Sequence, residues 1–233
     1  MPNGRRTLTL ADSRDGLAAL KPGKPLEVLG REHLRTPRLV LRPFRAADRD
    51  EFIRVVRESR DHLAEFSPLH MPGESDGELF ARQLRLALEG DSTLNACRRA
   101  AFDESGRLVC AINLNSIRRG LTFEADANWW TGADALHRGY ATEALGALLL
   151  HAFTDLPAGL GLHRVLAGIQ PQNTASRRLA ERLGFRRLGP ERSYLHAGGK
   201  WDLHEMYEVS PDTLMLRAAG GERSALMPWC LMP

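Results

Sequence analysis

The order of elements legible in the sequence predicts an α+β fold: a mixed, mostly antiparallel sheet with helices on both faces. Three observations carry that expectation. Two strand-like runs, Arg99–Phe102 and Leu108–Asn113, are joined by Asp103-Glu104-Ser105-Gly106 and read as a hairpin. A third run, Phe123–Trp130, ends at Gly132 and gives way to a helical pattern, with Leu145, Leu148, Leu149 and Ala152 at i, i+3, i+4 and i+7. Strand, helix and two further strands then follow through Val209. With 233 residues, 43% of them hydrophobic, the chain can bury a sizeable core and suits one domain with extensions.

Taken in order, residues 1–35 carry Pro22, Pro25 and several glycines without sustained periodicity, and are expected to form an N-terminal extension. A domain over residues 36–210 should follow, with 211–233 as a tail. Leu39–Arg42 is a short strand stopped by Pro43. Ala46-Ala47-Asp48 opens a helix with Phe52, Val55 and Val56 as its apolar positions, and Glu58–Phe66 continues as a second piece. Asp76–Leu88 is amphipathic, with Leu79, Phe80, Gln83, Leu84 and Ala87 on one side. Beyond the long helix, Leu156–Leu162 is a glycine-rich link, and Val165–Ile169 is apolar on both sides, as a buried strand should be. Asn173 caps a helix over Thr174–Leu183, which Gly184 stops. Phe185–Leu188 and Asp202–Val209 complete the strands.

The chemistry gathers where the central strand meets the long helix. The loop between them holds Arg138 and Gly139 and no carboxylate until Glu143. Glycine there lets a ligand approach the backbone, and the first helical turn leaves N–H groups unpaired at the positive end of the helix dipole. That combination holds a phosphate or diphosphate. The loop lacks the Gly-Lys-Ser/Thr ending of a P-loop and the spacing of a nicotinamide-binding fingerprint. By itself it also describes an ordinary strand–loop–helix connection, the commoner case.

Further residues single out one candidate. Leu136–Ala141 resembles the acyl-CoA pyrophosphate loop of the GNAT acetyltransferase superfamily, Arg/Gln-x-x-Gly-x-Gly/Ala, with Gly139 and Ala141 on the last two defined positions and Leu136 in place of the Arg or Gln. Asn173-Thr174-Ala175-Ser176 through Leu183-Gly184-Phe185 resembles the second signature of that superfamily. Thr36–Pro43 and Ser59–Leu63 look like the opening of the branch that contains the ribosomal-protein N-terminal alanine/serine acetyltransferases. The resemblance spans roughly Leu34–Val209 and implies the same mixed sheet, with its central strands splayed apart around the pantetheine arm of acetyl-CoA.

It also implies site residues. Backbone N–H groups of Trp129, Trp130 and Thr131 would meet the pantetheine and the thioester oxygen, while both indoles pack in the core. Leu136, His137, Arg138, Gly139, Tyr140, Ala141 and Thr142 would form the diphosphate cradle. Asn173 offers two jobs, helix cap or hydrogen bond to the pantetheine. Ala180 occupies the place of the tyrosine acid found in many members, so Ser176 becomes the donor to the leaving thiolate. Glu124 and Asp126, on one face of the strand with Asn128, are the candidate bases. Ser59 and His62 at one wall, with Trp201, Asp202 and Tyr207 at the other, would line the acceptor cleft. The expected activity is transfer of an acetyl group from acetyl-CoA to an amine, foremost a protein or peptide N-terminal α-amine. A small-molecule amine, a longer acyl-CoA, or a non-catalytic CoA sensor are the alternatives.

The bulk properties agree. A formal charge of +3 without clustered Lys/Arg excludes an evident nucleic-acid surface. Cys97, Cys110 and Cys230 are too few and scattered for a disulfide framework or a metal cluster. No apolar run reaches spanning length and no signal peptide is evident, so a cytoplasmic protein without metal is expected, with a homodimer left open.

Overall fold

Nine strands build a single sheet in the computed structural model, which describes residues 28–29, 33–197 and 200–214. In chain order the strands are β1 (Val28–Leu29), β2 (His33–Arg35), β3 (Leu39–Arg42), β4 (Cys97–Asp103), β5 (Leu108–Arg118), β6 (Glu124–Thr131), β7 (Arg164–Ile169), β8 (Arg186–Ala197) and β9 (Lys200–Val209). The helices are α1 (Arg49–Glu58), α2 (Arg60–Phe66), α3 (Asp76–Thr93), α4 (Tyr140–Phe153) and α5 (Thr174–Arg182). Across the sheet the strands run β1-β2-β3-β4-β5-β6-β7-β9-β8, and every neighbouring pair is antiparallel except β6 and β7. That one parallel pair follows from the β6–α4–β7 crossover, since a helix must carry the chain back to the same end of the sheet.

Two cores fill the two faces. On one, Phe52, Val55 and Val56 of α1 and Leu79 and Phe80 of α3 pack on Ala100, Phe102, Leu108 and Trp130. Phe52 is the hub, meeting the rings of Phe44, Phe80 and Trp130 at 5.2, 5.3 and 6.2 Å. Against the other face lie α4 and α5, with Leu145, Leu148, Leu149, Ala180 and Leu183 over Ile112, Ala125, Val165 and Ile169. The run Thr142–Leu149 is buried throughout, so α4 is a core helix wrapped on all sides.

Most boundaries fall where the sequence places them. Three elements run well past their expected ends: α3 to Thr93, β5 to Arg118, and β8 to Ala197 past a register shift between Arg187 and Arg192. Residues 33–35, placed in the extension, are strand β2, and Leu34 is buried in the α4 face of the core. Residues 1–27 and the tail from 215 lie outside the described residues.

Candidate active site

The sheet opens at β6 and β7. These strands pair only at Glu124–Arg164, Ala125–Val165 and Asp126–Leu166, although β6 continues to Thr131 and β7 to Ile169. Beyond Asp126 each strand keeps its outer neighbour, β5 or β9, and the inner edges part. The alternation of an antiparallel ladder identifies which amides face the gap. Gly132 donates to Val109 O at 3.0 Å, toward β5, and the β5 partners of Thr131 and Trp130 are Cys110 and Ala111. The N–H groups of Trp129 and Thr131 therefore point into the slot, while that of Trp130 belongs to the β5 ladder. The predicted trio is corrected on this point: Trp130 supplies packing, through its ring on Phe52, and no slot amide.

At the mouth of the slot, α4 begins abruptly. Gly139 precedes it at φ +77°, a conformation that favours glycine, and a Cβ there would meet only the Arg38 guanidinium at 3.6 Å. The first helical bond runs from Glu143 N–H to Gly139 O at 3.0 Å, so the amides of Tyr140, Ala141 and Thr142 precede the ladder. His137, Arg138 and Gly139 are exposed, and His137 is also left-handed, at φ +60°. Leu136, half-buried, offers no polar group to the mouth. A different cation stands there. Arg38, from the β2–β3 turn, donates to Arg138 O at 3.0 Å and lies over the Tyr140 ring at 4.7 Å. Its other edge grips Glu143, through Nε at 2.7 Å and Nη2 at 2.6 Å. Buried Glu143 also accepts from Thr36 Oγ1 at 2.5 Å and from the Arg38 amide at 3.2 Å. Glu143 is thereby turned away from the mouth, which presents amides and guanidinium hydrogens. That surface suits a diphosphate.

Across the slot, α5 aims its first turn at β6. Asn173 caps it, Oδ1 accepting from Ser176 N–H at 3.0 Å. The cap uses only the oxygen, so the amide NH2 of Asn173 still has two hydrogens to give. Ser176 Oγ accepts from the Trp129 indole Nε1–H at 3.2 Å. The Trp129 ring is half-buried against the α4/α5 core, 6.3 Å from the Phe185 ring. Core packing, expected for this indole, is thus joined by a polar contact to Ser176 that spacing in the sequence cannot reveal.

The other predicted residues lie elsewhere in the fold. Glu124 and Asp126 stand on the rungs where β6 and β7 are still paired. Glu124 is clamped by Arg118 Nε at 2.8 Å and Arg164 Nε at 2.5 Å, and Asp126 accepts from Arg118 Nη1 and Nη2 at 2.9 and 3.2 Å. Burial pushes the Glu124 carboxyl up, but the two arginine bonds outweigh it and hold the group below the usual carboxylate range. These carboxylates are engaged in ion pairs at the closed end of the slot. Ser59 is 1% exposed, and its Oγ accepts from Ala133 N–H at 2.8 Å, tying the α1–α2 junction to the β6–α4 loop rather than facing a cleft. His62 is exposed on α2. Tyr207 is 2% exposed; it accepts from Arg177 at 3.1 Å and donates to Glu205 at 3.3 Å. Trp201 is exposed on β9, with Asp202 half-buried beside it. Thr36, Arg38 and Glu143 form a cluster that the sequence shows only in its parts, the Thr-Pro-Arg opening and the carboxylate after the loop.

A sheet parted beside an amide-rich helix mouth suits an extended ligand anchored by its phosphates. Residues 38–186 match the model described as Acetyltransferase (GNAT) domain. The chain belongs to that family and is an acetyl-CoA-dependent N-acetyltransferase, with acetyl-CoA as its co-substrate. It is 27% identical over 183 residues to "Probable N-acetyltransferase YjcK" of Bacillus subtilis, covering 77% of this chain and 98% of that one. To the [Ribosomal protein uS5]-alanine N-acetyltransferase of Escherichia coli it is 24% identical over 181 residues, 77% and 91% of the two chains. Mycobacterium smegmatis RimJ, solved in complex with CoA-disulfide, shares the fold at a TM-score of 0.67 and 24% identity, over 78% of this chain and 89% of that one. Among the described residues, no group of three or more His, Cys, Asp or Glu could hold a metal ion, and no helix is long and apolar enough to cross a membrane.

Proposed function

We propose that the chain transfers the acetyl group of acetyl-CoA directly to the α-amine at the N-terminus of a protein or peptide. The observation that carries the site assignment is the slot itself: β6 and β7 part after three pairs, with Ser176 held at one wall by Trp129. The acceptor class is supported by the branch motif Thr36–Pro43 and by the uS5-alanine activity that names a relative of nearly the same span.

In this reading the amides of Tyr140, Ala141 and Thr142, with Arg38 and Arg138 beside them, hold the diphosphate. The Trp129 and Thr131 amides and the Asn173 amide NH2 hold the pantetheine, one slot amide polarising the thioester carbonyl. A neutral amine forms the new C–N bond as the C–S bond breaks. The sulfur takes the Ser176 Oγ–H proton, and the amine gives its own to water, from which Ser176 recovers its hydrogen. Glu124 and Asp126 keep their ion pairs and take no part.

Intact-mass analysis tests the acceptor. Peptides with free N-terminal alanine or serine, incubated with acetyl-CoA, should gain one acetyl group, and N-terminally blocked copies should not. Acetylation confined to small amines would replace the acceptor class. Stabilisation by CoA without turnover of any amine would make the chain a sensor. The cradle has its own test, Gly139→Glu. A side chain strained at φ +77° and a carboxylate at the mouth should abolish the thermal shift with CoA, with far-ultraviolet dichroism unchanged.

A further inference from the structure

Trp129 stands on β6 with its amide facing the slot and its indole N–H on Ser176 Oγ at 3.2 Å. We infer that Trp129 is a positioning residue, fixing the direction in which Ser176 gives up its proton. Its role rests on Ser176 being the acid for the departing sulfur, as proposed above.

A serine in the first turn of a helix ordinarily spends its hydroxyl on a nearby backbone carbonyl. Here the hydroxyl oxygen meets a partner with one chemistry only. An indole N–H donates and cannot accept, so in this pair the serine oxygen must be the acceptor. Two consequences follow. The hydroxyl hydrogen is left for a third group, and accepting one hydrogen bond makes Ser176 a better donor of the next. The indole also cannot take the proton at any ordinary pH, so transfer runs outward only, toward the slot. A tyrosine or histidine at this position could accept the Ser176 hydrogen and reverse the pair.

The indole is held so that this direction is kept. Its backbone is in the sheet, paired in register with Ile112, and its ring is wedged half-buried against Phe185 and the α4/α5 core. Ser176 is anchored independently, its own amide bonded to Asn173 Oδ1 at 3.0 Å. Two separately fixed groups therefore meet at one hydrogen bond, on the wall where β6 has left β7. One residue thus contributes an amide to the donor and an orientation to the acid.

The test uses the full-length chain. Thiol release from acetyl-CoA is followed with a peptide carrying a free N-terminal alanine and, needing no acceptor, for the slow transfer to water. Trp129→Phe should lower kcat about tenfold, the loss of one hydrogen bond in the reacting state. KM for acetyl-CoA and the melting temperature should stay near their unaltered values, which a packing defect would move. Ser176→Ala should lower kcat about a hundredfold, the usual worth of a placed acid. The double variant should be no slower than Ser176→Ala, because the indole acts only through the serine. Replacing Trp129 by its benzothiophene isostere, which keeps the ring and lacks the N–H, should reproduce Trp129→Phe and stands in for it if phenylalanine unfolds the chain. Full activity of the isostere, or losses that multiply in the double variant, would overturn the inference. Full activity of Ser176→Ala would instead remove the acid, and the inference with it. No thiol release from the unaltered chain under either condition would overturn both.

Discussion

Asn173 shows how much one side chain can settle. From the sequence, cap and ligand contact look like competing roles, because both call on the same amide. An amide has two ends, however, and only its placement reveals that the oxygen serves the helix while the nitrogen remains for a ligand. Asn173→Asp should therefore keep the cap and the melting temperature but raise KM for acetyl-CoA several-fold, by about the worth of one hydrogen bond; Asn173→Ala should harm both. His151 makes the opposite point, a polar group with no surface role. It is 4% exposed within α4, its Nδ1 lacks a partner among the described residues, and burial, with the Arg99 cation adding to it, pushes its pKa down to about 4. The unfolded chain takes up this proton near pH 6.5, the native state only near 4, so stability should fall as pH drops between those values. The full loss is on the order of 3 kcal/mol. Urea midpoints measured from pH 7 to 5, above the carboxylate range, should show the slope in the unaltered chain and a flatter one in His151→Leu.

At the scale of elements, periodicity made nearly all of the central fold legible, since buried positions repeat every 3.6 or 2 residues. The failures have local causes. The helix expected over Asp76–Leu88 continues through Gly90 to Thr93, and that glycine serves close packing, since a Cβ there would stand 2.8 Å from Ala96 Cβ. The strand expected over Phe185–Leu188 likewise runs on, because β8 absorbs Gly189-Pro190 in an irregular stretch and resumes pairing with β9 at Arg192. Strand β2, three residues with only Leu34 buried, is too short to alternate visibly. The motif around Ser59 points to the acceptor wall, but the break between α1 and α2 turns the side chain inward, onto the Ala133 amide. Ser59→Ala would leave that N–H without its partner and should cost about 1–2 kcal/mol. Denaturant unfolding would register it, and KM for acetyl-CoA should rise as the β6–α4 loop loosens.

For the whole molecule, the decisive tie is between the start of the described chain and its centre. Thr36 and Arg38 reach Glu143, more than a hundred residues on, and fasten the β2–β3 turn to the first turn of α4. No periodicity announces such a contact; it depends on which edge of the sheet α4 crosses. Because Glu143 is buried, its removal should be costly: Glu143→Ala leaves the Thr36 hydroxyl and Arg38 uncompensated, at about 3 kcal/mol. At this chain length that lowers the melting temperature by roughly 6–12 °C. Glu143→Gln, which keeps part of the hydrogen bonding, should recover some of it.

The parting of β6 from β7 has one more consequence. A sheet interrupted between its sixth and seventh strands in space is two half-sheets joined by three rungs, and such a joint should hinge. An extended donor lying along the Trp129 and Thr131 amides would act as a borrowed strand, bracing the halves against each other while its cargo is handed on.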